Sequence, residues 1–343
     1  MDEALARRIG VDPEDPLFDD VDPDSRRSVL TKLFLRPGHL IIAPAPAAVA
    51  GILAARDGVF APVPLAVGFA FFSLVLLVGN TTTYYVRTRR FVEGENPHLV
   101  DEHPGLPYAA VSGSFSLDEM RLVVWTLVGL AALCLLYLVA VGGVPALVVG
   151  GAAVVTGWGY HHFSSRVTAK LQVPLFVLAF GAISTGGLYY VQAVVARSHP
   201  FPLVIPAGTL PRWAILAGVP VGLLIAATKF IDNYTDVEHD RRTGKGTIPA
   251  TYGRAVGLVV YHAMLLGAYL VTVWFSTATE SRLLLAPLLS LPLAGYVSRR
   301  MWGMYHGSFH ALDVTRERLQ LYNQALVLLT MLLFVLGLAA SGL

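Results

Sequence analysis

The sequence predicts an all-α protein that crosses a membrane many times. Three observations carry this. The chain of 343 residues is 55% hydrophobic and only 14% charged, where a soluble domain carries about 25% charged residues. Its mean hydropathy is +0.61. Apolar runs of roughly 17–25 residues, each enough to span a bilayer, recur along it.

Residues 1–30 precede these runs. They hold nine acids against four arginines and read as an acidic cytosolic tail, too polar for a signal peptide. Residues 31–343 form the transmembrane domain. Nine helices are predicted, at 39–56, 64–90, 121–142, 144–162, 173–196, 212–238, 254–277, 282–299 and 320–341. Prolines Pro44 and Pro46 mark the first, and Pro287 and Pro292 the eighth. Membrane helices tolerate them where neighbours re-satisfy the backbone.

With nine spans, 21 of the 25 Lys and Arg residues fall on one side, leaving Arg56, Arg197, Arg212 and Arg282 on the other. The positive-inside rule then puts the N-terminus in the cytosol and the C-terminus outside. The single Cys134 lies in an apolar run, so there is no disulfide framework. The net charge of +2, without a basic cluster, gives no sign of nucleic-acid binding.

Against this apolar background, Ile231 to Gly253, IDNYTDVEHDRRTGKGTIPATYG, is exceptional. It directly follows the apolar run from Trp213 to Phe230. Asp232, Asp236 and Asp240 are four apart, so a helix puts them on one face. Like charges so placed repel unless a cation sits among them. Magnesium suits oxygen ligands and bridges carboxylates to phosphates. Arg241, Arg242 and Lys245 follow in a loop with Gly244 and Gly246, able to bring cations and backbone N–H groups to an anion. The stretch reads as a magnesium–diphosphate site at the membrane edge. The plainer reading is a solvated helix end, which the regular spacing and the attachment to a membrane helix disfavour.

The block DNYTDVEHDRRTGKGT resembles the second aspartate-rich motif of the UbiA superfamily of intramembrane prenyltransferases, and most of all its 1,4-dihydroxy-2-naphthoate branch, which serves menaquinone biosynthesis. The matching residues are Asn233, Asp236, Asp240, Gly244, Lys245 and Thr247. LRPGHL (Leu35 to Leu40), VSGSFSLDEMR (Val111 to Arg121) and LAFGAISTGGLYYVQ (Leu178 to Gln192) resemble other family stretches, so the likeness runs over about residues 30–341.

The resemblance implies a nine-helix UbiA-type bundle that opens to the cytosol and moves an isoprenyl group from an isoprenyl diphosphate to a small aromatic acceptor with Mg2+. Together with the spacing it gives metal ligation by Asp232, Asp236 and Asp240, of which Asp236 and Asp240 are catalytic, while Asp232 stands where the family often has Asn. It implies diphosphate contacts from Asn80, Tyr160, Lys170 and Lys245, to which the charge pattern of the sequence adds Arg87 and Arg241. High Arg, Ala, Gly and Val usage suggests a GC-rich bacterial source, hence an inner or plasma membrane.

The chain departs from the family at the first aspartate-rich motif. The end of the second predicted helix reads GNTTTYYVRTRR. Asn80 is present, but Thr81, Tyr84 and Thr88 stand where carboxylates are expected. Three readings follow. Arginines (Arg87, Arg89, Arg90) replace the metal and transfer proceeds. The protein cyclises a prenyl diphosphate without an acceptor. Or it is a non-catalytic relative that binds lipid or a partner.

Asn80 alternatively serves a helix–helix hydrogen bond, and Tyr160 and Lys170 serve as interfacial anchors. His161 and His162 are adjacent and point to different sides of a helix, so they read as interfacial. Tyr189, Tyr190 and Gln192 read as anchors at the outer interface. His306 and His310, four apart and near Asp313, read as a cap loop and not as a zinc site.

Overall fold

The computed structural model describes residues 44–92, 116–162, 171, 173–242, 246–306 and 316–341. The acidic tail and the start of the first predicted helix, 39–43, lie outside the described residues. The described elements are helical. They are α1 (Pro44–Arg56), α2 (Pro62–Val92), α3 (Leu117–His162), α4 (Val173–Ala196), α5 (Arg212–Thr235), α6 (Val237–Arg242), α7 (Ile248–Tyr252) and α8 (Arg254–Ala278). A 3-10 helix (Arg282–Ser290) leads into α9 (Leu291–Tyr305), and α10 is Arg316–Ala340.

Among the described residues six helices are long and apolar enough to cross a membrane, namely α2, α3, α4, α5, α8 and α10. This makes the chain an integral membrane protein. Nine spans were expected, and the difference has local causes. The predicted helices 121–142 and 144–162 join into α3, where Gly143 alone leaves helical geometry (φ 64, ψ −154). A side chain at Gly143 would run into the backbone of Pro202, whose carbonyl accepts the Val144 N–H at 3.0 Å. The described part of α1 has 13 residues. The eighth predicted helix begins as 3-10 turns that contain Pro287, which lacks the N–H that an α-helix would use.

By packing, the chain divides into two compact units, Met1–Leu40 with Ser73–Leu133, and Ile41–Phe72 with Cys134–Leu343. In the smaller unit, α2 contributes the buried residues Val75, Asn80, Thr81, Tyr84 and Thr88. The start of α3 is a capping box. Ser116 Oγ accepts the Glu119 N–H at 3.1 Å, and Glu119 Oε2 accepts the Ser116 N–H at 2.8 Å, so two orphan donors of the first turn are satisfied.

The larger unit is built on α5. Its most apolar window is 72% buried, against 17% for α3, and it packs on α1, α4, α8 and α10. It meets α4 at glycines. Side chains at Gly181 or Gly218 would collide with the facing backbone, and one at Gly222 would lie 2.7 Å from Val177 Cα. Small residues let membrane helices approach backbone to backbone. The same part of α4, Val177–Ile183, is wound as a π-helix.

Tyr189, Tyr190 and Gln192 of α4 are not the interfacial anchors expected. They are 1%, 1% and 0% exposed. Tyr189 donates to Asp57 Oδ2 at 2.6 Å, Tyr190 donates to the Gly142 carbonyl at 2.8 Å, and Gln192 donates to the Leu188 carbonyl at 2.9 Å. Asp57 also pairs with Arg56, whose guanidinium lies 4.2 Å over the Trp213 ring. Tyrosine suits both settings, because its apolar ring ends in a hydroxyl that needs a partner when buried. Buried polar pairs also join α8, the 3-10 helix and α10. Tyr261 donates to Asn323 at 2.7 Å, and Ser290 lies 2.8 Å from both Tyr269 and Thr330.

Candidate functional site

The aspartate-rich stretch sits where α5 gives way to α6. The predicted helix 212–238 runs instead to Thr235, and Asp236 takes φ −95, ψ 11 before α6 resumes. Thr235 helps cause this. Its hydroxyl donates to the Asp232 carbonyl at 2.9 Å and the Ile231 carbonyl at 3.2 Å, a back-bonding that bends helices. The turn spacing survives the break, since the Asp236 N–H reaches the Asp232 carbonyl at 3.1 Å and the Asp240 N–H the Asp236 carbonyl at 2.7 Å. The expected four-residue register of the carboxylates is therefore kept.

The three carboxylates have different surroundings. Asp240 is 1% exposed and accepts the Thr247 hydroxyl at 2.9 Å. A buried charge needs such a donor. Asp236, half-buried, lies at the break itself, with the Thr235 hydroxyl 3.3 Å from Oδ1. Asp232 is committed elsewhere. Its Oδ2 is 3.3 Å from Lys229 Nζ, one turn back on α5, and its Oδ1 accepts Gln320 Nε2 of α10 at 3.0 Å. Lys229 and Gln320 were not singled out from the sequence. An ion pair inside a mostly apolar run was the available signal for Lys229, whereas Gln320 is 88 residues away and carried none.

α6 is tied to α7 and α8 by its own contacts. Arg241 Nε donates to the Ala250 carbonyl at 3.1 Å. Glu238 lies between Arg241, at 3.7 Å, and Arg254, at 3.5 Å. Phe230, Ile231, Tyr234 and Val237, which alternate with the carboxylates along the chain, are fully buried.

Among the described residues no group of three or more His, Cys, Asp or Glu side chains is placed to hold a metal. Asp236 and Asp240 still fit magnesium in kind, being hard oxygen donors one turn apart. Magnesium asks for only one or two carboxylates when substrate phosphates and water complete its shell. Asp232 is held by Lys229 and Gln320 in this arrangement.

Of the other expected diphosphate contacts, Asn80 is buried on α2 at 7% exposure. Arg87 and Tyr160 are carried on α2 and α3. Lys170 and Lys245 lie outside the described residues, as do His310 and Asp313. His306 caps α9 and stacks on Trp302, with centroids 5.6 Å apart.

Known proteins bear out the resemblance read from the motifs. The chain is 35% identical over 101 residues to a 1,4-dihydroxy-2-naphthoate octaprenyltransferase of Haemophilus influenzae, a stretch covering 29% of this chain and 28% of that relative. It is 25% identical over 123 residues to the UbiA prenyltransferase domain-containing protein 1 of Mus musculus, covering 36% of each. Both matches span much less than two thirds of the relatives' length. Among solved structures, the apo structure of a UbiA homolog from Aeropyrum pernix K1 superposes with a TM-score of 0.60 at 18% identity, over 87% of this chain and 96% of that one, and so shares the fold. The UbiA prenyltransferase family pattern itself matches residues 43–311, and the chain belongs to that family.

Proposed function

We propose that this protein is an integral-membrane prenyltransferase that takes an isoprenyl group from an isoprenyl diphosphate and transfers it to an aromatic acceptor. The carrying observation is the pair of carboxylates Asp236 and Asp240 at the mouth of a membrane helix, the second buried and aligned by Thr247. The likeness to a naphthoate octaprenyltransferase favours a quinone-precursor acceptor. In this reading the chain crosses the membrane nine times, with α1, both arms of α3 and α9 included. Its N-terminus and the Asp236 loop face the cytosol of a bacterial cell.

Asp236 and Asp240 would hold magnesium, which when bound neutralises the diphosphate and makes it a better leaving group. The chain's own residues do the rest. Thr247 holds the Asp240 carboxyl in place by donating its hydroxyl to Oδ2. Arg241, anchored through Nε on Ala250, offers its remaining donors to an anion, in company with Asn80, Arg87, Tyr160, Lys170 and Lys245. The apolar side chains of Phe230, Ile231 and Val237 exclude water, so that the allylic cation meets the acceptor instead of being hydrolysed.

The test is a diphosphate-release assay in nanodiscs with geranyl, farnesyl and geranylgeranyl diphosphates, with and without magnesium and an aromatic acceptor. Release that needs magnesium and is lost in Asp236→Ala supports the proposal, and the organic product separates transfer from cyclisation. No release from any chain length, with the acceptor present, overturns it.

A further inference from the structure

Threonine hydroxyls in membrane helices ordinarily satisfy themselves by donating to a carbonyl three or four residues back. Thr83, Thr126, Thr156, Thr228, Thr235 and Thr330 all do so, at 2.7 to 3.2 Å. Thr81, Thr82 and Thr88 do not. Their Oγ1 atoms are buried without a hydrogen-bond partner, and Thr81 and Thr88 are 0% exposed as residues. The neighbour Thr83 shows that the carbonyls of this helix accept such bonds. Three unsatisfied hydroxyls within two turns depart sharply from the rule that buried polar groups are paired, and such exceptions point to an absent ligand or ion.

The surroundings choose between an anion and a cation. Thr81 and Thr88 are seven apart, so they share a face to within about 20° and lie about 10 Å apart along the axis. None of the 31 residues of α2 is acidic, and its last turns carry Arg87, Arg89 and Arg90. A metal ion there would meet positive charge with no carboxylate on α2 to offset it. An oxyanion would meet donors and cations together.

We propose that Thr81 and Thr88 donate directly to phosphate oxygens of a bound ligand, so that α2 grips its anion through hydroxyls and arginines without a metal of its own. This rests on the proposed function, under which the ligand is the prenyl diphosphate. The same chemistry would also suit a lipid phosphate headgroup. Each hydroxyl bond to an anion is expected to be worth about a tenfold change in affinity.

The test uses the full chain in nanodiscs of zwitterionic lipid, with and without phosphatidylglycerol. It is titrated with geranylgeranyl thiolodiphosphate, which resists ionisation, in magnesium and in EDTA. Thr81→Val and Thr88→Val should each weaken binding about tenfold. Thr88→Ser should recover most of it, and Thr126→Val, on a back-bonded exposed threonine, should change nothing. Wild-type binding should persist in EDTA at reduced affinity and be lost step by step in the valine variants. Thermal midpoints without ligand should hold or rise, because valine removes a buried unsatisfied hydroxyl.

Unchanged affinity in both valine variants overturns the inference while leaving the prenyltransferase reading intact, since wild-type binding and the Asp236→Ala loss remain. A midpoint raised by phosphatidylglycerol alone in the wild type but in neither valine variant, with no change on adding the thiolodiphosphate, assigns the hydroxyls to lipid and overturns the diphosphate assignment. Wild-type protein that binds no diphosphate at all overturns both.

Discussion

Replacing Asp232 by asparagine separates the stripe read from the sequence from the arrangement in the structure. If three carboxylates hold magnesium, losing Asp232 should resemble losing Asp236. The structure argues otherwise. Asp232 pairs with Lys229 at 3.3 Å, with both side chains 33% exposed. A pair that open to water contributes at most about 1 kcal/mol. The Gln320 bond at 3.0 Å survives in the variant, because an asparagine oxygen still accepts. Asp232→Asn should therefore cost about 1 kcal/mol of stability or less. Removing a negative charge beside Lys229 should also slightly strengthen its pull on an anion, so KM for the prenyl diphosphate should hold or fall. Asp236→Asn, in contrast, should lower kcat about 10²–10³-fold, the scale of losing one electrostatic contact to the departing group. The assay is diphosphate release over a magnesium titration, with thermal midpoints for each variant. An Asp232→Asn loss as deep as that of Asp236→Asn, with a raised magnesium requirement, would refute the argument and return Asp232 to the metal.

Three further outcomes follow from the packing. Thr247→Val strands a carboxylate that is 1% exposed, so it should cost about 1–3 kcal/mol and reduce release, while Thr247→Ser should restore both in a denaturation series. Gly143→Ala combines a positive φ with a collision against Pro202; it should cost at least about 1–2 kcal/mol and lower the thermal midpoint without changing the magnesium dependence of any activity. Tyr189→Phe removes the hydroxyl that meets Asp57 at 2.6 Å and should cost about 1–3 kcal/mol, read by melting, and Asp57→Asn should soften that cost in a double-mutant cycle.

The membrane class, the approximate helix positions and the family were legible in the sequence. Each rests on properties local to a stretch of chain. A run of apolar residues must be helical in lipid, because no water is there to satisfy its backbone. The junction placed between 142 and 144 fell on Gly143, the one residue of α3 with non-helical angles. The four-residue register of the aspartates followed from helix geometry and survived the break at Asp236.

What each aspartate does was not legible, because it depends on partners brought in from afar. Asp232 looked equivalent to Asp236 until α10 delivered Gln320 to it, and Asp240 gained its donor only when the chain folded back to Thr247. Tyr189 and Tyr190 looked like surface anchors because composition cannot tell a face turned to lipid from one turned to another helix. Both are equally apolar environments, and only packing against α1 and the kink in α3 supplied Asp57 and the Gly142 carbonyl. The period of a sequence fixes which residues share a face. The tertiary structure fixes what that face meets, and for a charge or hydroxyl in an apolar surrounding the partner decides its role, since such a group is too costly to leave unmatched.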